Sequence, residues 1–130
     1  IATAMGRILK HEPVTIFGEN GTIRDYIHVQ DIASGILCAM ESGSAGEIYN
    51  LGSGVGRSNR DVLKAIEPFA ERNGLVIEVE CAQPRGFDVP ANVLSYGKLL
   101  SHANWKPQMP FATGLLEMWE GMPALLDLNG

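Results

Sequence analysis

Residues 24–31 read Arg24-Asp25-Tyr26-Ile27-His28-Val29-Gln30-Asp31, and the fold turns on how this run is divided. Arg24 to Val29 reads as extended chain, entered from the Gly18-Glu19-Asn20-Gly21 turn, because Asn-Gly tolerates positive φ with little strain. Asp31 then stands as the N-cap of a helix that carries Ile32, Ile36, Leu37 and Met40 at helical spacing and ends in the stretch Gly43 to Gly46. An extended segment passing into an amphipathic helix is the repeating step of an α/β chain.

The alternation continues on both sides. Upstream, Ala2 to Lys10 sets Met5, Ile8 and Leu9 on one helical face, Pro13 breaks the helix, and Val14 to Phe17 follows as a short strand. Downstream, Glu47 to Leu51 reads as a strand, and Ser58 with Asp61 opens a helix through Arg72 in the manner of a capping box, closed by Asn73-Gly74. Leu75 to Cys81 reads mainly as a strand, Pro84 to Pro90 as a loop holding one Arg and one Asp, and Ser95 to His102 as a helix. Trp105-Lys106-Pro107 is a turn, and Phe111 to Glu120 a last amphipathic helix displaying Phe111, Leu115, Met118 and Trp119. With Trp105 these apolar side chains read as core or interface. The expectation is one α/β domain over residues 1–130, a small mixed sheet with several helices and no internal repeat.

Composition narrows the function classes. The chain is 45% apolar and 19% charged, as in an ordinary folded protein. Its net charge of −5, with ten Lys and Arg scattered singly, argues against nucleic acid as a partner. No apolar run approaches the roughly 20 residues that span a bilayer, so no membrane association is expected. The first ten residues also lack signal-peptide order. Two cysteines, Cys38 and Cys81, each inside an apolar segment, suggest no disulfide framework and fit a reducing cytoplasm.

Gly52-Ser53-Gly54-Val55-Gly56 lies between a strand and a helix, where a dinucleotide-binding loop would lie. The G-x-G-x-x-G pattern needs its third glycine at position 57, and that residue is Arg57. What remains is a tight turn whose backbone amides can face an anion. His28 has no partners at metal-ligand spacing and reads as structural, as do His11 and His102, so no metal site is expected. Ser53 lacks the frame of a nucleophile elbow, which disfavours a hydrolase.

Several blocks in order resemble one family: Thr15-Ile16-Phe17-Gly18, the 24–31 run, Tyr49-Asn50-Leu51-Gly52 with Gly54-Val55-Gly56, Arg85 to Asp88 followed by Pro90, Lys98, and Asn104-Trp105-Lys106-Pro107. They are similar to the NAD-dependent epimerases and dehydratases of extended short-chain dehydrogenase type, and among them to the UDP-glucose 4-epimerases. The resemblance is to the C-terminal, substrate-binding portion, so it implies a chain lacking the Rossmann domain, with NAD expected only in that missing domain and no cofactor in this one. The family's catalytic Tyr-x-x-x-Lys pair is absent, since Tyr26, Tyr49 and Tyr96 are followed four residues later by Gln30, Ser53 and Leu100. No catalytic residue is therefore assigned.

Carried over by position, the resemblance implies that Arg24 and Arg85 contact the diphosphate of a UDP-sugar and Asp88 a ribose hydroxyl. The strand with Ile16 and Phe17 would meet the base, and Tyr26 is a further binding candidate. A diphosphate suits guanidinium, whose planar fork can reach two phosphate oxygens. The bland alternative for Arg24 is an ion pair with Asp25 or Asp31. Phe87 replaces the usual glycine before the aspartate, Asn92 stands in place of a substrate-contacting tyrosine, Ser95 in place of a helix-leading aspartate, and Ala103 in place of a leucine. Three functions are consistent with this: a truncated sugar-nucleotide binding domain that cannot epimerise alone, an interaction or oligomerisation protein keeping the fold, or one chain of a split epimerase needing an NAD-binding partner. A homo-oligomer or a separate chain would cover apolar surface around Asp31 to Leu51.

Overall fold

Ser58 and Asp61 close the capping box that the sequence promises, and it fixes the start of a 14-residue helix in the middle of the chain. Ser58 Oγ accepts from the Asp61 amide at 3.1 Å, and Asp61 accepts from the Ser58 amide at 2.9 Å and from its hydroxyl at 2.7 Å. The computed structural model describes residues 1–127. Its elements run α1 (Ala2–Leu9), β1 (Val14–Phe17), β2 (Ile23–Asp25), α2 (Val29–Ser42) and β3 (Gly56–Ser58). They continue as α3 (Asn59–Arg72), β4 (Val79–Ala82), β5 (Ala91–Asn92), α4 (Gly97–Ala103) and α5 (Phe111–Asp127). The chain is thus α/β. In place of one small mixed sheet it forms two small sheets, a pair β1-β4 and a trio ordered β3-β2-β5.

The residues group into two compact units. The first comprises Ile1–Thr22, Ser58–Pro90 and the chain from Ala112. Here β1 and β4 pair in parallel, Val14 opposite Val79 and Phe17 opposite Ala82, with α1 packed on β1 and α3. Met5, Ile8 and Ile66 are fully buried, joined by Ile16, Val62, Leu115 and Trp119. Each such side chain contributes about 1.5–3 kcal/mol on burial. Phe69 leans on Trp119 with ring centroids 6.5 Å apart.

The second unit comprises Ile23–Arg57 and Ala91–Phe111. Parallel pairing of β2 with β5 puts Ile23 opposite Ala91 and Arg24 opposite Asn92. α2 packs on α4 through its narrow side: a Cβ on Gly35 would stand 2.6 Å from the Leu51 side chain and 2.9 Å from the Trp105 ring. Trp105 Nε1 donates to Ser34 Oγ at 3.0 Å, so the buried indole is satisfied.

Several boundaries differ from the sequence expectation. The extended run ends at Asp25, and α2 begins at Val29 with His28 as N-cap, its Nδ1 accepting from the Gln30 amide at 3.4 Å. Asp31 is not the cap, because its carboxylate is taken by the amides of Gln108 at 2.8 Å and Met109 at 3.0 Å, far along the chain. Glu47 to Leu51 forms no strand: the Ile48 carbonyl accepts from Lys98 Nζ at 3.0 Å, and Tyr49 Oη accepts from the Ser44 amide at 2.9 Å. Only the end of the 75–81 run is paired, since four-residue β1 offers no partner to the rest. β3 and β5 went unread, being too short to show a period. α4 starts two residues later than expected, and α5 continues past Glu120 to Asp127.

Candidate functional site

In the first unit the loop after β4 folds back onto the end of β1. Gly18, at φ 81°, donates its amide to the Ala82 carbonyl at 2.9 Å, and Pro84 lies in van der Waals reach of a Cβ at Gly18. This brings Arg85 across Phe17, its guanidinium carbon 4.1 Å from the ring centroid and 5.5 Å from that of Phe87. Arg85 Nε donates to Asp88 Oδ2 at 2.9 Å. Guanidinium carries five N–H donors in a planar fork, and Nε–H is the one turned to Asp88. Three of the sequence candidates, Phe17, Arg85 and Asp88, are therefore in mutual contact through Arg85. Ile16 is 2% exposed and its side chain belongs to the core, so it can offer a ligand only strand backbone.

In the second unit Asp25 commands the geometry. Oδ1 accepts from the Ser53 amide at 2.8 Å and the Ser53 hydroxyl at 2.5 Å, while Oδ2 accepts from the Gly54 amide at 3.0 Å and the Leu94 amide at 3.1 Å. Burial works against its charge, but the hydrogen bonds from Ser53, Leu94 and Gly54 outweigh it and hold the carboxyl below its usual range. The amides of the glycine loop do face an anion, and that anion is Asp25. A Cβ on Gly52 would fall 2.7 Å from Asp25 Oδ2, which is why the backbone there must be glycine. Arg57, at the missing third glycine, lays its guanidinium 4.2 Å over the Phe111 ring.

Arg24, beside Asp25, is half-buried and donates through Nη1 to the Ile23 carbonyl at 2.8 Å. Tyr26 packs on Phe111 at 5.9 Å between centroids, and burial raises its phenol above the ordinary range despite the opposing charge of Arg24. It lines a hollow of about 250 Å³ with Asp31, Ser53, Arg57 and Gln108. A second hollow of about 430 Å³ is bounded by Gly54, Leu94, Tyr96 and Leu100. Tyr26 is thus a wall inside this unit.

A third cluster escaped the sequence reading because its members are some fifty residues apart. Tyr49 Oη and His102 Nδ1 are 2.9 Å apart, and Lys98 Nζ lies 5.1 Å from the Tyr49 ring centroid. The ammonium of Lys98 is given to Glu47 and the Ile48 carbonyl, and the bond from Lys98 holds the Glu47 carboxyl below its usual range. Lys98 therefore addresses the face of Tyr49 and not its hydroxyl, so this is no equivalent of a Tyr-x-x-x-Lys pair. Among the described residues no three His, Cys, Asp or Glu form a metal-holding group, and no helix is long and apolar enough to cross a membrane.

The fold is that of the nucleotide-sugar epimerases. UDP-glucose 4-epimerase of Thermotoga maritima, solved with UDP-glucose, matches 95% of this chain at a TM-score of 0.84 and 31% identity, over 39% of its own chain. The chain belongs to the NAD dependent epimerase/dehydratase family, whose profile matches residues 1–52. UDP-glucose 4-epimerase of Corynebacterium glutamicum is 36% identical over 125 residues, which is 89% of this chain and 37% of that protein. A dTDP-glucose 4,6-dehydratase of an Actinoplanes species is 30% identical over 115 residues, 85% of this chain and 34% of its own. The chain spans between a third and two-fifths of the length of these relatives.

Proposed function

We propose that this chain binds a nucleotide sugar, with a UDP-sugar as the first choice, and does not epimerise it alone. The observation that carries the reading is the Phe17–Arg85–Asp88 contact, in a chain similar to an epimerase solved with UDP-glucose. Phe17 offers a flat apolar face to a base, Arg85 a planar donor to phosphate, and Asp88 an acceptor for ribose hydroxyls. Ile16 contributes strand backbone there, and in the other unit Arg24 offers a guanidinium suited to phosphate.

Catalysis in this family is NAD dependent. The glycine loop does not fit a dinucleotide pyrophosphate, because the Ser53 and Gly54 amides are given to Asp25 and position 57 carries Arg57. None of the three tyrosines has a lysine four residues on. NAD and the catalytic base thus belong to residues outside these 130, in a Rossmann domain or a partner chain. Two free cysteines agree with a reducing, cytoplasmic setting. Titration calorimetry tests the binding: UDP-glucose gives saturable heat with the chain, and Arg85→Ala weakens it about tenfold or more, the value of one charge-assisted hydrogen bond. No heat at millimolar UDP-glucose or UDP overturns the reading.

A second reading is favoured by α2. Val29, Ala33, Ile36 and Met40 share one outward face, with Val29 72% and Met40 75% exposed and Leu37 beside them at 59%. Such a stripe suits an interaction or oligomerisation protein, either a homo-oligomer or the receiver of an NAD-binding chain. Light scattering showing a stable dimer, with a thermal melt indifferent to UDP-sugars, selects that reading.

A further inference from the structure

The Asp25 carboxylate accepts four hydrogen bonds, and they converge from places far apart in sequence. Its oxygens join β2 to the glycine loop at Ser53 and Gly54 and to Leu94, two residues beyond the end of β5. Gly52 is independent support: only glycine leaves room for the carboxylate, since a Cβ would lie 2.7 Å from Oδ2 and equally close to Leu94 Cβ. Successive side chains of a strand leave on opposite faces. Seating Asp25 on one face of β2 therefore sends Arg24 to the other, and a slip of one residue would exchange them. The same clamp holds β5, where Asn92 is opposite Arg24.

We propose that Asp25 is a positioning residue for ligand binding: its carboxylate locks the register of β2 against β5 and the glycine loop, and so decides where Arg24 presents its guanidinium to a nucleotide diphosphate. This rests on the assignment of Arg24 as a phosphate donor. Asp25 acts through Arg24, and its removal leaves the donor present but misplaced.

The test is calorimetric titration of UDP-glucose into the whole chain and into Asp25→Asn, Ser53→Ala, Arg24→Ala and the double variant Asp25→Asn/Arg24→Ala, each shown folded by its melt. Asp25→Asn weakens binding about tenfold, the loss expected when one charge-assisted contact to phosphate is misaligned. Ser53→Ala, which removes a single bond to the clamp, weakens it less. The double variant binds no more weakly than Arg24→Ala alone, because nothing is left to position. Fully additive losses, or a folded Asp25→Asn with unchanged affinity beside a weakened Arg24→Ala, overturn the proposal. Should Asp25→Asn fail to fold, the cycle is closed with Ser53→Ala in its place and read in the same way. Unchanged affinity in Arg24→Ala overturns the assignment of Arg24 itself and this proposal with it, while loss in Arg85→Ala would leave the binding reading standing.

Discussion

Arg85, on the loop after β4, and Asp25, the last residue of β2, use their charge in opposite ways. Arg85 lies on an exposed loop, with one hydrogen bond to Asp88 and a ring on its flank. Asp25 is half-buried, and both its oxygens are taken by Ser53, Gly54 and Leu94. The contrast separates two duties. A group that must meet a ligand keeps donors for it, whereas a group that must shape the backbone spends its capacity inside the protein.

That division can be broken by substitution. Asp25→Ala leaves four donors without their acceptor, so it should lower unfolding free energy by about 1.5–3 kcal/mol, read by urea denaturation. Gly52→Ala should come next, at about 1–3 kcal/mol, because the new methyl collides with the carboxylate and with Leu94. Parity with the wild type in either case would show that the clamp contributes little.

Acid sharpens the same comparison. The Asp25 carboxyl is held below its ordinary 3.8, so its stabilisation is fully present above the unfolded value and is lost as pH falls through the folded one. The stability gap between wild type and Asp25→Asn should therefore be widest near neutrality and close below pH 3.8. A gap that persists in acid would assign the effect to shape and not to charge. The smallest effect on stability belongs to Arg85→Ala, within about 1 kcal/mol, since its ion pair is partly exposed and screened. Its signature is in affinity.

What the sequence displays follows from distance along the chain. The capping box at Ser58 and Asp61 was legible because its two halves are three residues apart, and β1 because four apolar-patterned residues lie between a proline and a glycine turn. Asp31 looked like a cap for the same local reason, yet its partners are Gln108 and Met109. Nor could the 24–31 run reveal that Asp25 would be met by Leu94. Glu47 to Leu51 has the composition of a strand, but Lys98 and Ser44 supply what a neighbouring strand would have supplied. The candidate site was legible through resemblance, while the contact among Phe17, Arg85 and Asp88 needed the fold.

The central claim is that Arg85 serves a ligand and not the fold. Titrating UDP-glucose into the wild type and Arg85→Ala, with melts recorded on the same samples, tests it most directly. The account predicts saturable binding that falls about tenfold or more in the variant while the two melts stay close. Equal affinity in the two proteins, or no binding to either, would contradict it.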